Sequence, residues 1–208
     1  MKGKLSQLWS LTAVGASCFA LVSCNDDGRT LREPDSTTTV PVTLPTTTTV
    51  APSVYDSFYA ATQWPDGGAI PTRHGCDGEG LSPSLTWNLL PEATGAIGIA
   101  AVDSSNILKD GNEYILWVAV IPMQVSRNGI PEGAVPDDAI QGMNSAGGVG
   151  WVAPCPPAGE THRIDITVFA LPNANGVVSG MSGNDMREQI IGAAIDEFTI
   201  SGTYSAPE

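Results

Sequence analysis

Residues 142–171 read GMNSAGGVGWVAPCPPAGETHRIDITVFAL, and the fold turns on how this stretch divides. Its first half carries Gly at 142, 147, 148, 150 and 159, and Pro at 154, 156 and 157. Such a run sustains neither helix nor ladder, because glycine loses too much entropy and proline lacks the donor. The second half, from Ile164 to Leu171, is rich in β-branched and aromatic residues and is closed by Pro172. It predicts a strand running into the core. Between the halves, Gly159-Glu-Thr-His162-Arg163 sets an imidazole and a guanidinium where a rigid loop enters a buried strand. Scaffolds hold binding residues at such positions.

Working outward, further short β-type runs lie between Gly/Pro turns: Leu85 to Trp87, Ala96 to Val102, Ile115 to Ile121, and Phe198 to Tyr204. No long amphipathic helix separates them, as a parallel doubly wound sheet requires. One late helix is expected, with Ser182 as its cap, Asp185 three residues on, and an apolar stripe of Met186, Ile190 and Ala194. The class is mostly β, with a C-terminal helix closing one face. The 53–208 segment is long enough to bury a core.

The rest of the 208 residues reads differently. Lys2 and Lys4 precede an apolar run, Leu8 to Val22, that is too short to span a bilayer permanently, so residues 1–23 read as a secretion signal. Leu21-Val22-Ser23-Cys24 resembles the bacterial lipobox, which implies cleavage before Cys24 and acylation of its thiol. Ordinary signal cleavage with Cys24 incidental is the plainer alternative. Residues 24–52 show no hydrophobic period and consist largely of Thr and Pro, as expected of a disordered tether. Cys18 leaves with the signal, so Cys76 and Cys155 remain, either as a disulfide or as two buried thiols. The net charge of −13 falls wholly on residues 51–208, where five Lys/Arg face eighteen Asp/Glu. That field repels phosphate backbones and argues against nucleic-acid partners.

The Gly-x-x-His-Arg stretch after the Cys155-Pro-Pro turn, together with IPTRHGCDGEGLSPSLTW at 70–87, carries a family resemblance. From about Trp64 to Tyr204 the chain resembles the phosphatidylethanolamine-binding protein family, in its bacterial Raf-kinase-inhibitor-like branch. The resemblance implies a central antiparallel sheet packed on a smaller one, with a pocket at one end. Asp103 stands where the family's motif supplies a pocket carboxylate. It is positioned to orient His162 or to pair with Arg163, or else simply to start a turn. Leu116, before Trp117, occupies a position where relatives carry a second pocket histidine. His74 falls where relatives usually have Tyr and reads as a surface turn residue. Trp151 and Pro154 supply an apolar wall, and the backbone N–H groups of the Gly147–Cys155 turn supply anion donors.

Catalytic signatures are not apparent. Gly142-Met-Asn-Ser145-Ala-Gly147 has one residue too many for a nucleophile elbow, and an Asp103/His162/Ser145 trio is the sort any β domain contains. The sequence shows no metal or cofactor motif. The expected function is therefore non-catalytic binding outside the cytoplasm, on a membrane through a lipid anchor only. The ligand is expected to be a small anionic or polar headgroup held by Asp103, Trp151, Pro154 and His162. The alternative is a protein-interaction or protease-inhibitor module with an extracytoplasmic protein partner.

Overall fold

The structure is a computed structural model that describes residues 57–124 and 128–208. The expected signal (1–23), the lipidation site Cys24 and the 24–52 tether lie outside the described residues. In chain order the elements are β1 (Tyr59–Ala61), β2 (Gly68–Ala69), a 3-10 turn (Thr72–His74), β3 (Leu85–Asn88), β4 (Ala96–Ile107) and β5 (Glu113–Pro122). Then follow β6 (Gly129–Ile130), β7 (Ile140–Gln141), β8 (Thr161–Leu171), α1 (Gly183–Ala193) and β9 (Asp196–Ser205). The five expected strands are β3, β4, β5, β8 and β9, most of them longer than their apolar runs. The others span two or three residues, too few for alternation to register.

The strands form two sheets, as the resemblance implied. The larger has the order β2-β9-β8-β4-β5-β7, and the smaller β1-β3-β6. All pairings are antiparallel except β2 with β9. The larger sheet is buried on both faces. Ile97, Ile99 and Ala101 of β4, with Ile164, Ile166 and Val168 of β8, pack in one cluster with Leu85 and Trp87 of β3. Ala96, Ala100 and Val102 face the other way, towards Met186 and Ile190 of α1. Each large aliphatic side chain buried in this way contributes roughly 1.5–3 kcal/mol. Gly98 permits the helix its close approach, since a Cβ there would lie 2.7 Å from Ile190 Cγ2.

The alternation breaks once within β5. Ala101 pairs with Trp117 and Val102 with Ile115, so Leu116 is the extra residue of a β-bulge. Leu116 and Trp117 consequently share the cluster facing the smaller sheet, while Ile115 and Val118 belong to the helix side.

Four expectations need correction. His74 is not a surface residue: it is 0 % exposed, its Nδ1 lies 2.9 Å from the Leu81 carbonyl, and its ring packs against Trp64. The reason lies next door, where Gly75 rests on the Tyr204 ring so closely that a Cβ would sit 1.8 Å from its Cζ. The turn therefore rolls inward. Ser182 does hold the cap position of α1, but its side chain makes no capping hydrogen bond; its carbonyl instead accepts the first helical N–H, from Met186. The strand expected over Ala96 to Val102 runs on to Ile107, although its burial stops at Asp103. The glycine-rich stretch is not wholly free of pairing either, since Met143 and Val149 form an isolated bridge. Between the two readings of the remaining cysteines the structure decides: Cys76 and Cys155 form a disulfide with a Cα–Cα distance of 5.3 Å.

Candidate functional site

Strand period and register bring the key pair together. Asp103 continues the odd-numbered face of β4 beyond Ile97, Ile99 and Ala101, and His162 continues the even-numbered face of β8 beyond Ile164 and Ile166. Asp103 is registered with Ile164, so His162 lies diagonally across on the same face. Its Nδ1–H donates to Asp103 Oδ2 at 2.7 Å, and the Ser105 N–H donates to Oδ1 at 3.1 Å. The other imidazole nitrogen, Nε2, lies 3.5 Å from Glu160 Oε2. Asp103 is 3 % exposed, so this is a nearly buried carboxylate whose charge is compensated through hydrogen bonds.

Arg163 takes no part. Successive strand residues face opposite sides, and its guanidinium meets Asp165 at 2.8 Å and Ser201 Oγ at 2.7 Å. The expected Asp103–Arg163 pairing is thus excluded by strand geometry. Burial pushes the Asp165 carboxyl up, but hydrogen bonds from Ser201 and Ser104 and the Arg163 guanidinium outweigh it and hold the group below its ordinary value. Next to His162 in register, the Tyr204 hydroxyl donates to Asp77 at 3.2 Å. Burial raises the Tyr204 pKa, and the Asp77 charge adds to the effect.

Beside Asp103 a cavity of about 160 Å³ is walled by Asp103, Asn106, Tyr114, Leu116, Ala153 and Cys155. The β-bulge is what turns Leu116 towards it. His162, Trp151 and Pro154 are not among these walls, and His162 reaches the hollow only through Asp103. The Trp151 indole N–H donates to the Gly80 carbonyl at 3.0 Å, and its ring stands edge-on to Trp117 with centroids 6.3 Å apart. Pro154 is buried, and its carbonyl accepts the Cys76 N–H at 3.1 Å. Both hold the wall from behind.

The backbone N–H groups expected to receive an anion are already engaged. Those of Gly147, Gly150 and Val152 donate to the carbonyls of Asn144, Gly142 and Leu116, and that of Gly148 donates to the Asn144 side chain. The Ser145 hydroxyl accepts the Ile115 N–H at 2.8 Å, and His162 is held between two carboxylates. A larger groove of about 390 Å³ lies elsewhere, lined by residues including Tyr59, Trp64, Asp66, Phe198 and Ile200. It contains no histidine.

Reading the sequence missed Glu160, Asn106 and Tyr114. Two of them were accessible by period alone, since Glu160 precedes His162 by two and Tyr114 precedes Leu116 by two. Asn106 depended on β4 running past Asp103, which its polar sequence concealed.

Comparison with known proteins gives a consistent result. Residues 60–205 match the family model described as phosphatidylethanolamine-binding protein. A protein of Methanothermobacter thermautotrophicus, named only UPF0098, is 30 % identical over 140 residues, covering 67 % of this chain and 92 % of its own. LppC of Mycobacterium tuberculosis, a lipoprotein candidate by its name, is 29 % identical over 198 residues, covering 93 % of this chain and 94 % of its own. Among solved structures, YbcL of Escherichia coli, described as a new member of the mammalian family, superposes with a TM-score of 0.64 at 27 % identity. That likeness covers 72 % of this chain and 98 % of YbcL. CT736 of Chlamydia trachomatis, described as a candidate homologue of the same proteins, gives 0.65 at 26 % identity over 73 % of this chain and 99 % of its own.

Proposed function

The chain belongs to the phosphatidylethanolamine-binding protein family, and from that premise we propose that it is a non-catalytic binding protein of the cell envelope. Its ligand is small and polar and sits in the cavity beside Asp103. The observation that carries this reading is the nearly buried Asp103–His162 pair, whose carboxylate forms a cavity wall while its imidazole fixes the carboxylate from behind. A buried charge with an open hollow beside it offers hydrogen-bonding capacity that packing alone does not require. Among the described residues the His162 nitrogens face the carboxylates of Asp103 and Glu160, which supports binding rather than turnover.

Attachment through a lipidated Cys24 on the 24–52 tether is part of the proposal. Its support is the similarity to LppC, which takes in 93 % of the chain and so extends into the region before residue 60. Globomycin treatment of expressing cells checks it: accumulation of the uncleaved precursor is expected, and an unchanged Cys24→Ala variant marks the control.

Mass spectrometry of small molecules co-purifying with the full chain tests the ligand. A compound present with the native protein and lost from Asp103→Asn and His162→Ala is the expected result. The rival reading, a protein-interaction or protease-inhibitor module, draws on the groove lined by Tyr59, Trp64 and Phe198. A protease inhibited equally by the native protein and by both variants favours that rival.

A further inference from the structure

The larger sheet is open along part of one edge. β9 pairs with β8 on one side, while on the other β2 covers it only at Gly202 and Thr203. Successive backbone groups of a strand face alternate sides. The carbonyls of Ser201 and Thr203 accept the Gly67 and Ile70 N–H groups from the β2 side, so Thr199 and Glu197, in step with them, face that side too. There the chain has turned away. The Gly68 N–H donates to the Pro65 carbonyl, and among the described residues no strand continues β2 alongside residues 196–200. The Glu197 N–H is taken by the Asp196 carboxylate. The Thr199 N–H, the Thr199 carbonyl and the Glu197 carbonyl face outward without a partner among the described residues.

A groove accompanies this edge. Phe198 and Ile200 of β9 line the hollow of about 390 Å³ together with Tyr59, Trp64 and Asp66. An added strand requires both features: main-chain partners along its length, and room for every second side chain.

The surrounding charge selects what can be added. Asp66, Asp196 and Glu197 are exposed, and Asp66 lines the hollow itself. The described cations do not cancel them. Arg163 and Arg187 are bound to Asp165 and Glu113, and Arg73 to Glu132. Lys109 follows Ile107, at the end of the sheet away from Asp196. Charged residues on an edge strand keep like edges apart, so a second copy of this chain, bringing the same three carboxylates, is repelled. A strand of opposite charge is attracted.

We propose that the Glu197–Thr199 edge of β9 docks an extended segment of another protein, bearing lysine or arginine, by strand addition. The segment bonds to the Thr199 N–H and carbonyl and to the Glu197 carbonyl. Its apolar side chains enter the hollow beside Phe198, and its cationic ones meet Glu197 on the opposite face. This surface shares no residue with the walls of the Asp103 cavity, so it adds a protein-binding function to the one proposed above.

The test is NMR titration of the full chain with the peptide acetyl-Lys-Val-Lys-Val-Lys-amide and, separately, with acetyl-Glu-Val-Glu-Val-Glu-amide. The amide signals of Glu197, Thr199 and Ala153 are followed in each. The lysine peptide should shift Glu197 and Thr199 saturably, with affinity on the order of millimolar for so short a segment. The glutamate peptide should shift neither, and Ala153, a wall of the other cavity, should not move. Thr199→Pro removes the N–H at an edge position where proline is tolerated, and should weaken the lysine peptide about tenfold. If that variant does not fold, Asp196→Lys with Glu197→Lys decides, and should reverse the preference between the peptides. Equal shifts with both peptides overturn the charge selection. Silence of Glu197 and Thr199 towards both, or movement of Ala153 alone, overturns the docking edge. Broadening of the Thr199 signal with protein concentration, before any peptide is added, assigns the edge to a second copy and overturns the proposal too.

Discussion

The two histidines of the chain show how differently one side chain is used at two places in one fold. His74 is sealed at the end of a 3-10 turn, with a backbone carbonyl at one nitrogen. Its Nε2 has no hydrogen-bond partner, although Glu132 Oε1 lies 3.5 Å away. His162 lies on a strand at the rim of the core, with carboxylates at both nitrogens. The first is held by shape and contributes packing. The second is held by charge and sets the orientation of the carboxylate that walls the cavity. The partner at Nδ1, a carbonyl in one and a carboxylate in the other, separates the two roles, since each Nε2 has a glutamate oxygen at 3.5 Å.

The largest test of this contrast removes the covalent link that pins the His74 segment. Cys76→Ser with Cys155→Ser opens a loop with a sequence separation of 79 residues. It should cost about 4–5 kcal/mol on the chain-entropy estimate, read as a lower midpoint in urea. Next comes the direct exchange. His74→Ala leaves a hole against Trp64 and should cost about 2–4 kcal/mol without changing ligand binding. His162→Ala should cost less, about 1–2 kcal/mol from the lost bond to Asp103, and should weaken ligand binding. Equal losses of stability with binding intact in both would dissolve the contrast.

Two pH effects sharpen it at the rim. The pKa of Tyr204 is raised on folding, so the folded state holds the phenol proton more tightly than the unfolded chain. Its contribution is complete below pH 10 and is lost as pH rises past the folded value. Tyr204→Phe should flatten the stability curve above pH 10. Asp165 is shifted the other way, so its contribution is present above the unfolded value of 3.8 and fades as pH falls through the lower folded value. Because Arg163 is largely exposed, Asp165→Asn should cost under about 1 kcal/mol at pH 7 and nothing near pH 2. Urea titrations across pH measure both.

The strands of the larger sheet were legible because burial on both faces leaves continuous apolar runs, as in Ala96 to Val102 and Ile115 to Ile121. The polar extension of β4 beyond Asp103 carried no such signal, and its length decides that Asn106 reaches the cavity. His162 and Asp103 were legible as individual candidates. Their alignment required the β4–β8 register, which depends on tertiary pairing rather than on any local pattern. His74 was misread because the feature that buries it is the absence of a side chain at Gly75, which meets Tyr204 from the far end of the chain.

The slip at Leu116 has a consequence for sequence change. An extra residue shifts the phase of a strand, so side chains beyond it point opposite to where simple alternation would send them. Removing Leu116 would restore strict alternation and leave Ile115 against Val102 and Tyr114 against Asp103. Exchanging the side chain at 116 alters only what the hollow contains. A point substitution here therefore changes one wall of the hollow, whereas a deletion at the same spot would take away that wall and the bulge with it.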